Sequence, residues 1–156
     1  MKAGALRGKK GEARVSWKAY HRYAGQLGRM VRKDRFSPNI IVCISRGGLP
    51  VGVMLSEILR KPLGVITVQS YKGKKPGKMR FDSRISAIAP IKGRILLVDD
   101  LVDTGRTLKA TKKYLLRFGE VRTAVLMRKI CSAFVPDYYV KWMPADKWIV
   151  FPYHRT

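Results

Sequence analysis

The chain has 156 residues, 46% of them hydrophobic, which suits one compact domain and leaves no room for a second full one. Thirty-three basic residues against ten acidic ones give a net charge of +23, a balance that favours anionic partners; a solvated basic surface, steering of a polyanionic substrate and binding to nucleic acid all accommodate it. No apolar stretch approaches the roughly 18 residues that cross a bilayer, and the basic, Gly-rich start is not followed by an apolar run, which argues against a membrane or secreted protein and for a cytoplasmic one.

In chain order, residues 1–15 read as a basic tail and residues 16–156 as the domain. Ser16 can cap a helix in which Trp17, Tyr20, Ala24, Leu27 and Val31 recur at helical spacing, and which ends before Ser37 and Pro38. Residues 39–44 (NIIVCI) form a β-branched run that stops at 45–48 (SRGG), after which 49–59 read as a helix. A second β-rich run, 63–68 (LGVITV), leads into 72–78 (KGKKPGK), a stretch too rich in Lys, Gly and Pro to pack; a mobile basic loop is expected over about 70–83.

Residues 94–98 (RILLV) have the pattern of a parallel strand buried on both faces. A helix starts near Gly105, with Leu108, Leu115, Ala110, Tyr114 and Phe118 facing inward; Gly119 ends it, and 121–127 (VRTAVLM) supply another buried strand. Strand and helix alternate, which predicts an α/β fold with a doubly wound parallel sheet. The last segment breaks the alternation with two short aromatic strands, 138–142 and 148–151, in a hood over about 129–156. Cys43 and Cys131 lie in apolar surroundings without metal-ligand spacing and read as buried thiols in a reducing compartment. His21 reads as a helix surface residue, and neither it nor His154 has a partner at metal-ligand spacing.

The chemistry concentrates in residues 95–108 (ILLVDDLVDTGRTL), where a buried strand delivers Asp99, Asp100 and Asp103, three of the ten acids, within five residues. A helix N-terminus that favours acids and Thr caps accounts for Asp103 and Thr104 alone. It leaves the adjacent pair unexplained, since two carboxylates at a strand tip repel and need hydroxyls or a divalent cation to be tolerable. Thr104, Gly105, Arg106 and Thr107 then offer backbone N–H groups, two hydroxyls and a glycine that permits close approach, at the positive end of a helix. Neither a Walker A loop nor a dinucleotide fingerprint is present. Carboxylates for a diol beside a nest for a phosphate together describe a ribose 5-phosphate.

On these residues the chain resembles the type I phosphoribosyltransferases, whose PRPP (phosphoribosyl diphosphate) motif looks like VDDLVDTGRTL. The resemblance implies that Asp99 and Asp100 hold the ribose hydroxyls and Mg2+, that Asp103, Thr104, Gly105, Arg106 and Thr107 wrap the 5′-phosphate, and that Asp103 lies beside purine N7 as catalytic acid or base. The loop of Ser45, Arg46, Gly47 and Gly48 is similar to the family's pyrophosphate loop, with Arg46 as a catalytic cation and a cis peptide implied around Ser45 and Arg46. The basic loop matches the family's catalytic flap, which puts Lys78 and Arg80 in reach of the pyrophosphate. The C-terminal segment is similar to the xanthine-guanine and hypoxanthine-guanine branch: Lys129 would donate to the purine 6-oxo group, Trp148 stack on the ring and the Ile149 main chain read its edge. A lysine can only donate, so a 6-oxopurine is expected over adenine. The family often has an acid where His154 stands, which leaves guanine, xanthine and hypoxanthine open.

The implied activity is purine salvage: transfer of ribose 5-phosphate from PRPP to the base with release of pyrophosphate, by a homodimer or homotetramer. Two rivals remain at this point. One is a PRPP-sensing regulator that binds nucleic acid through its basic surface, disfavoured because the flap and base site are intact and no nucleic-acid module is recognisable; the other is an enzyme acting on a pyrimidine or another small nucleophile.

Overall fold

The computed structural model describes residues 11–70, 79–81 and 85–154. Its order is β1 (Glu12–Arg14), α1 (Trp17–Lys33), β2 (Ile40–Ser45), α2 (Gly48–Leu59), β3 (Leu63–Ser70), β4 (Met79–Phe81), β5 (Ser86–Ala87), β6 (Gly93–Val102), α3 (Arg106–Leu115), a 3₁₀ turn, β7 (Gly119–Lys129), β8 (Tyr138–Met143) and β9 (Trp148–Val150).

The main sheet runs β4-β3-β2-β6-β7-β8. From β3 to β7 every neighbouring pair is parallel, as the alternation of strand and helix predicts; β8, read from sequence as part of the hood, instead joins the same sheet in parallel beside β7. Only β4 and β5, both on the outer edge of β3, run antiparallel. Side chains of a strand point alternately to its two faces, and β2 shows it. Ile41 and Cys43 enter a core with Tyr20, Leu27 and Val31 of α1 and Val51 and Leu55 of α2. Ile40, Val42 and Ile44 enter a second core with Leu108 and Leu115 of α3. Helices thus cover both faces, which explains why β2, β6 and β7 are apolar runs and not alternating ones.

Ser16 caps α1 as expected, its hydroxyl accepting from the Ala19 N–H at 3.2 Å. The periodic residues of α1 are buried except Trp17, which stands at the helix start beyond the core edge and is exposed. Two expectations need correction. Cys43 is buried, but Cys131 is exposed: it lies in the turn where the chain leaves β7, so apolar neighbours in sequence do not enclose it. Residues 12–14, read as part of a tail, form β1 and pair in parallel with β9 through Ala13↔Ile149. The tip of the hood is therefore stitched to the start of the chain, and Ala13, Val15, Ile149 and Phe151 are buried in the core that α1 and α2 share.

Candidate active site

The carboxyl ends of β2, β6 and β7 lie side by side in the sheet, which is where open α/β sheets bind ligands. Asp99 and Asp100 are still part of β6, and Asp103 follows its last residue. At the end of β2 the Ser45–Arg46 peptide is cis, as the family resemblance implies. The loop it opens packs on the acidic tip: a Cβ on Gly47 would come within 2.5 Å of Asp100 Oδ2, and one on Gly48 within 2.7 Å of the Val98 carbonyl oxygen. Only glycine lets these two strand ends approach so closely. The Ser45 hydroxyl pairs with that of Thr67 on β3 at 2.9 Å, while Arg46 is exposed at the loop's crest.

Asp99 and Asp100 keep some exposure, yet protein atoms crowd both carboxyls. Burial, followed by repulsion from Asp100, raises Asp99 well above the usual carboxylate range, although the Asp100 N–H donates to Asp99 Oδ1 at 3.0 Å. Burial likewise raises Asp100, against the opposing pull of a Tyr153 hydrogen bond and the nearby His154. The carboxyl tip is thus short of positive charge, the condition in which a cation or a set of ligand hydroxyls is most favourable. Among the described residues no cluster of three or more metal-ligating side chains occurs. Two adjacent carboxylates without a protein cage suit Mg2+, which commonly takes one or two carboxylates and completes its shell with substrate oxygens and water.

Beyond Asp103, Gly105 adopts a left-handed φ of 84° and is the N-cap of α3. A side chain there would overlap Phe134 and sit 3.0 Å from Ser132 Oγ. The glycine that sequence reading assigns to close ligand approach also admits the turn after β7 against the back of the loop. Thr104 and Arg106 are exposed at the rim, and the Arg106 N–H lies 3.4 Å from the Thr104 hydroxyl.

Lys129 ends β7 and is only 8% exposed. Its ammonium pairs with Asp103 at 3.3 Å, so the residue expected at purine O6 and the one expected at N7 are neighbours. Trp148, on the separate β1-β9 sheet, presents its ring to solvent at 68% exposure. No ring contact, hydrogen bond or ion pair among the described residues ties it to Asp103 or Lys129. Trp148 N–H donates to Gly11 and Val150 accepts from Val15, both at 2.9 Å. Backbone groups alternate along a strand, so those of Ile149 point away from β1 and are free of that pairing. Lys78 lies outside the described residues; Arg80 sits on β4 opposite Gln69.

Sequence reading missed Tyr153. Its hydroxyl donates to Asp100 Oδ2 and lies 3.2 Å from the Gly47 carbonyl oxygen. The ring stacks on Phe151 and meets Tyr20 edge-on. An aromatic tail ordinarily signals packing, and no spacing rule links residue 153 to residue 100.

With this arrangement in place, the family can be stated. The phosphoribosyl transferase domain model matches residues 16–155, and the chain belongs to that family. It is similar to the purine phosphoribosyltransferase of Pyrococcus horikoshii, with 34% identity and a TM-score of 0.81 over 94% of this chain and 96% of that one. The xanthine-guanine-hypoxanthine phosphoribosyltransferase of Helicobacter pylori superposes with a TM-score of 0.78 at 25% identity, covering 88% of this chain and 90% of that one. In sequence, the xanthine-guanine phosphoribosyltransferase of Nitratidesulfovibrio vulgaris is 29% identical in an alignment 144 residues long that covers 89% of this chain and 82% of the relative.

Proposed function

We propose that this protein transfers the ribose 5-phosphate of PRPP to a 6-oxopurine, giving the nucleoside monophosphate and pyrophosphate, with Mg2+ as cofactor. The observation that carries the reading is the Asp103–Lys129 pair, which joins the acidic strand tip to a buried ammonium. As its N7–H tautomer a free 6-oxopurine presents an acceptor, O6, beside a donor, N7–H, and an ammonium beside a carboxylate is the matching surface. The similarity to purine enzymes over most of the chain supports the same substrate class.

In this reading Asp99 and Asp100 hold the ribose hydroxyls, residues 103–107 cradle the 5′-phosphate, and Ser45, Arg46 and Gly47 take the pyrophosphate. Arg46 then neutralises the leaving group, a contribution of pre-positioned charge. Asp103 manages the proton at N7, Lys129 donates to O6, Trp148 covers the ring, and the outward-facing main chain of Ile149 reads its edge. Lys78 and Arg80 belong to the flap assigned to the pyrophosphate side. Magnesium would sit at Asp99 and Asp100 and, when bound, supply charge neutralisation for the pyrophosphate.

Incubating the protein with PRPP, Mg2+ and, in turn, guanine, xanthine, hypoxanthine and adenine tests the assignment. Nucleotide and pyrophosphate should appear with 6-oxopurines and not with adenine. Turnover of adenine alone, or of a pyrimidine alone, would reject the base-site assignment; no turnover and no PRPP binding would reject the enzyme.

A further inference from the structure

The C-terminal hood reaches into the PRPP half of the site through one hydroxyl. Tyr153 Oη donates to Asp100 Oδ2 and stands 3.2 Å from the carbonyl oxygen of Gly47, so it spans the tip of β6 and the loop after β2 at once. Few conformations are open to it. Its ring is stacked on Phe151 with centroids 5.6 Å apart, and meets Tyr20 at 5.9 Å and His154 at 5.0 Å, both edge-on. Tyr20, from α1, is fully buried, and Phe151 is 2% exposed. A hydroxyl held by rings from two parts of the chain is a fixed donor, and a fixed donor to an ionised group is worth more than a mobile one.

Asp100 needs such a partner. Asp99, next to it in the strand, repels it, and no arginine or lysine among the described residues forms an ion pair with either carboxylate. Tyr153 takes only one of the two Asp100 oxygens, so the carboxylate is oriented without being consumed. We infer that Tyr153 is a positioning residue that orients Asp100 against the pyrophosphate loop and thereby sets the affinity for PRPP, while leaving affinity for the base to the rest of the hood. The inference rests on the phosphoribosyltransferase reading above.

The test is Tyr153→Phe, which keeps the ring and removes the donor. Calorimetric titration of PRPP with Mg2+ should give a dissociation constant about three- to tenfold higher than that of the parent protein, the size of one lost hydrogen bond. At saturating PRPP the KM for the purine should stay within about twofold, a split expected of a residue acting through Asp100. A general loosening of the hood would act the other way, because Trp148 and Ile149 lie on the same segment and purine KM would rise at least as much. Equal or tighter PRPP binding, or a purine KM that rises with it, overturns the inference. Installing 3-fluorotyrosine in place of Tyr153 keeps the ring and a somewhat stronger hydroxyl donor and reads the same point should the phenylalanine variant fold poorly: PRPP affinity equal to or tighter than the parent's is expected, and a loss counts against the assignment. If the parent protein itself fails to bind PRPP, the phosphoribosyltransferase reading fails and this inference falls with it, whereas a parent that binds and a variant that binds equally well overturn this inference alone.

Discussion

Asp99 is where the cost of the site is most concentrated. Its carboxyl is raised by burial and by Asp100, so ionising it opposes folding, and that penalty grows as pH rises from the ordinary carboxylate range through the raised folded pKa. Asp99→Asn should therefore raise the melting temperature of the ligand-free protein at pH 7 to 8 by a few degrees, the gain shrinking toward pH 4. The same variant should lose PRPP binding, and calorimetry beside thermal melts checks both halves. Asp103→Asn should behave differently: the side chain is 56% exposed and asparagine keeps an acceptor for the buried Lys129 ammonium, so stability should fall only modestly while turnover falls about a hundredfold or more and much of PRPP binding survives. An unaltered rate removes its assigned proton-transfer role. At this scale the acids were legible because three of ten fall in five residues at the end of an apolar run. Tyr153 was not, because its partner is 53 positions away and is chosen by tertiary packing.

The elements were legible to the extent that each carries its own pattern. The runs at β2, β3, β6 and β7 are long and β-branched, and α1 has both a cap and a stripe, so local preference and final structure agree. Strand β1 has three residues, two of them charged, and exists only because β9 offers an edge; a pattern of that length carries no period. The exposed Cys131 is the same lesson in reverse, since apolar neighbours in sequence say nothing about which way a turn faces. The join between β7 and β8 supplies a prediction of its own. The Asp137 carboxylate accepts from the Thr123 N–H at 2.8 Å, from its hydroxyl at 2.7 Å and from Lys112 at 3.2 Å. Burial opposes ionisation, but these donors outweigh it and hold the carboxyl below its usual range. Asp137→Ala should cost about 1 kcal/mol by chemical denaturation at pH 7, a modest figure because the side chain is 36% exposed. A depressed carboxyl stabilises the fold above its unfolded pKa, so the difference between parent and variant should be full at pH 6 and shrink as pH falls below about 4. A difference that persists unchanged at pH 2 to 3 would show that the carboxylate's charge is irrelevant to the join.

Taken whole, the molecule sets a small acidic tip inside a chain of net charge +23. Composition makes the excess legible but not its use, because charge acts at a distance and any basic surface produces it. The layers bear on the choice: α1, α2 and the C-terminal strands cover one face and α3 the other, and the carboxyl edge carries the exposed Arg46 and Arg106. PRPP carries several negative charges and guanine or hypoxanthine none at neutral pH, so a steering field should act on the first and not on the second. Stopped-flow association of PRPP with Mg2+ should slow at least about tenfold between low salt and roughly 0.5 M, where the Debye length falls to a few ångströms. Purine KM at saturating PRPP should move little over the same range. A PRPP association rate indifferent to salt would detach the charge from catalysis, and filter binding of RNA or DNA, with its own steep salt dependence, would then identify the competing use.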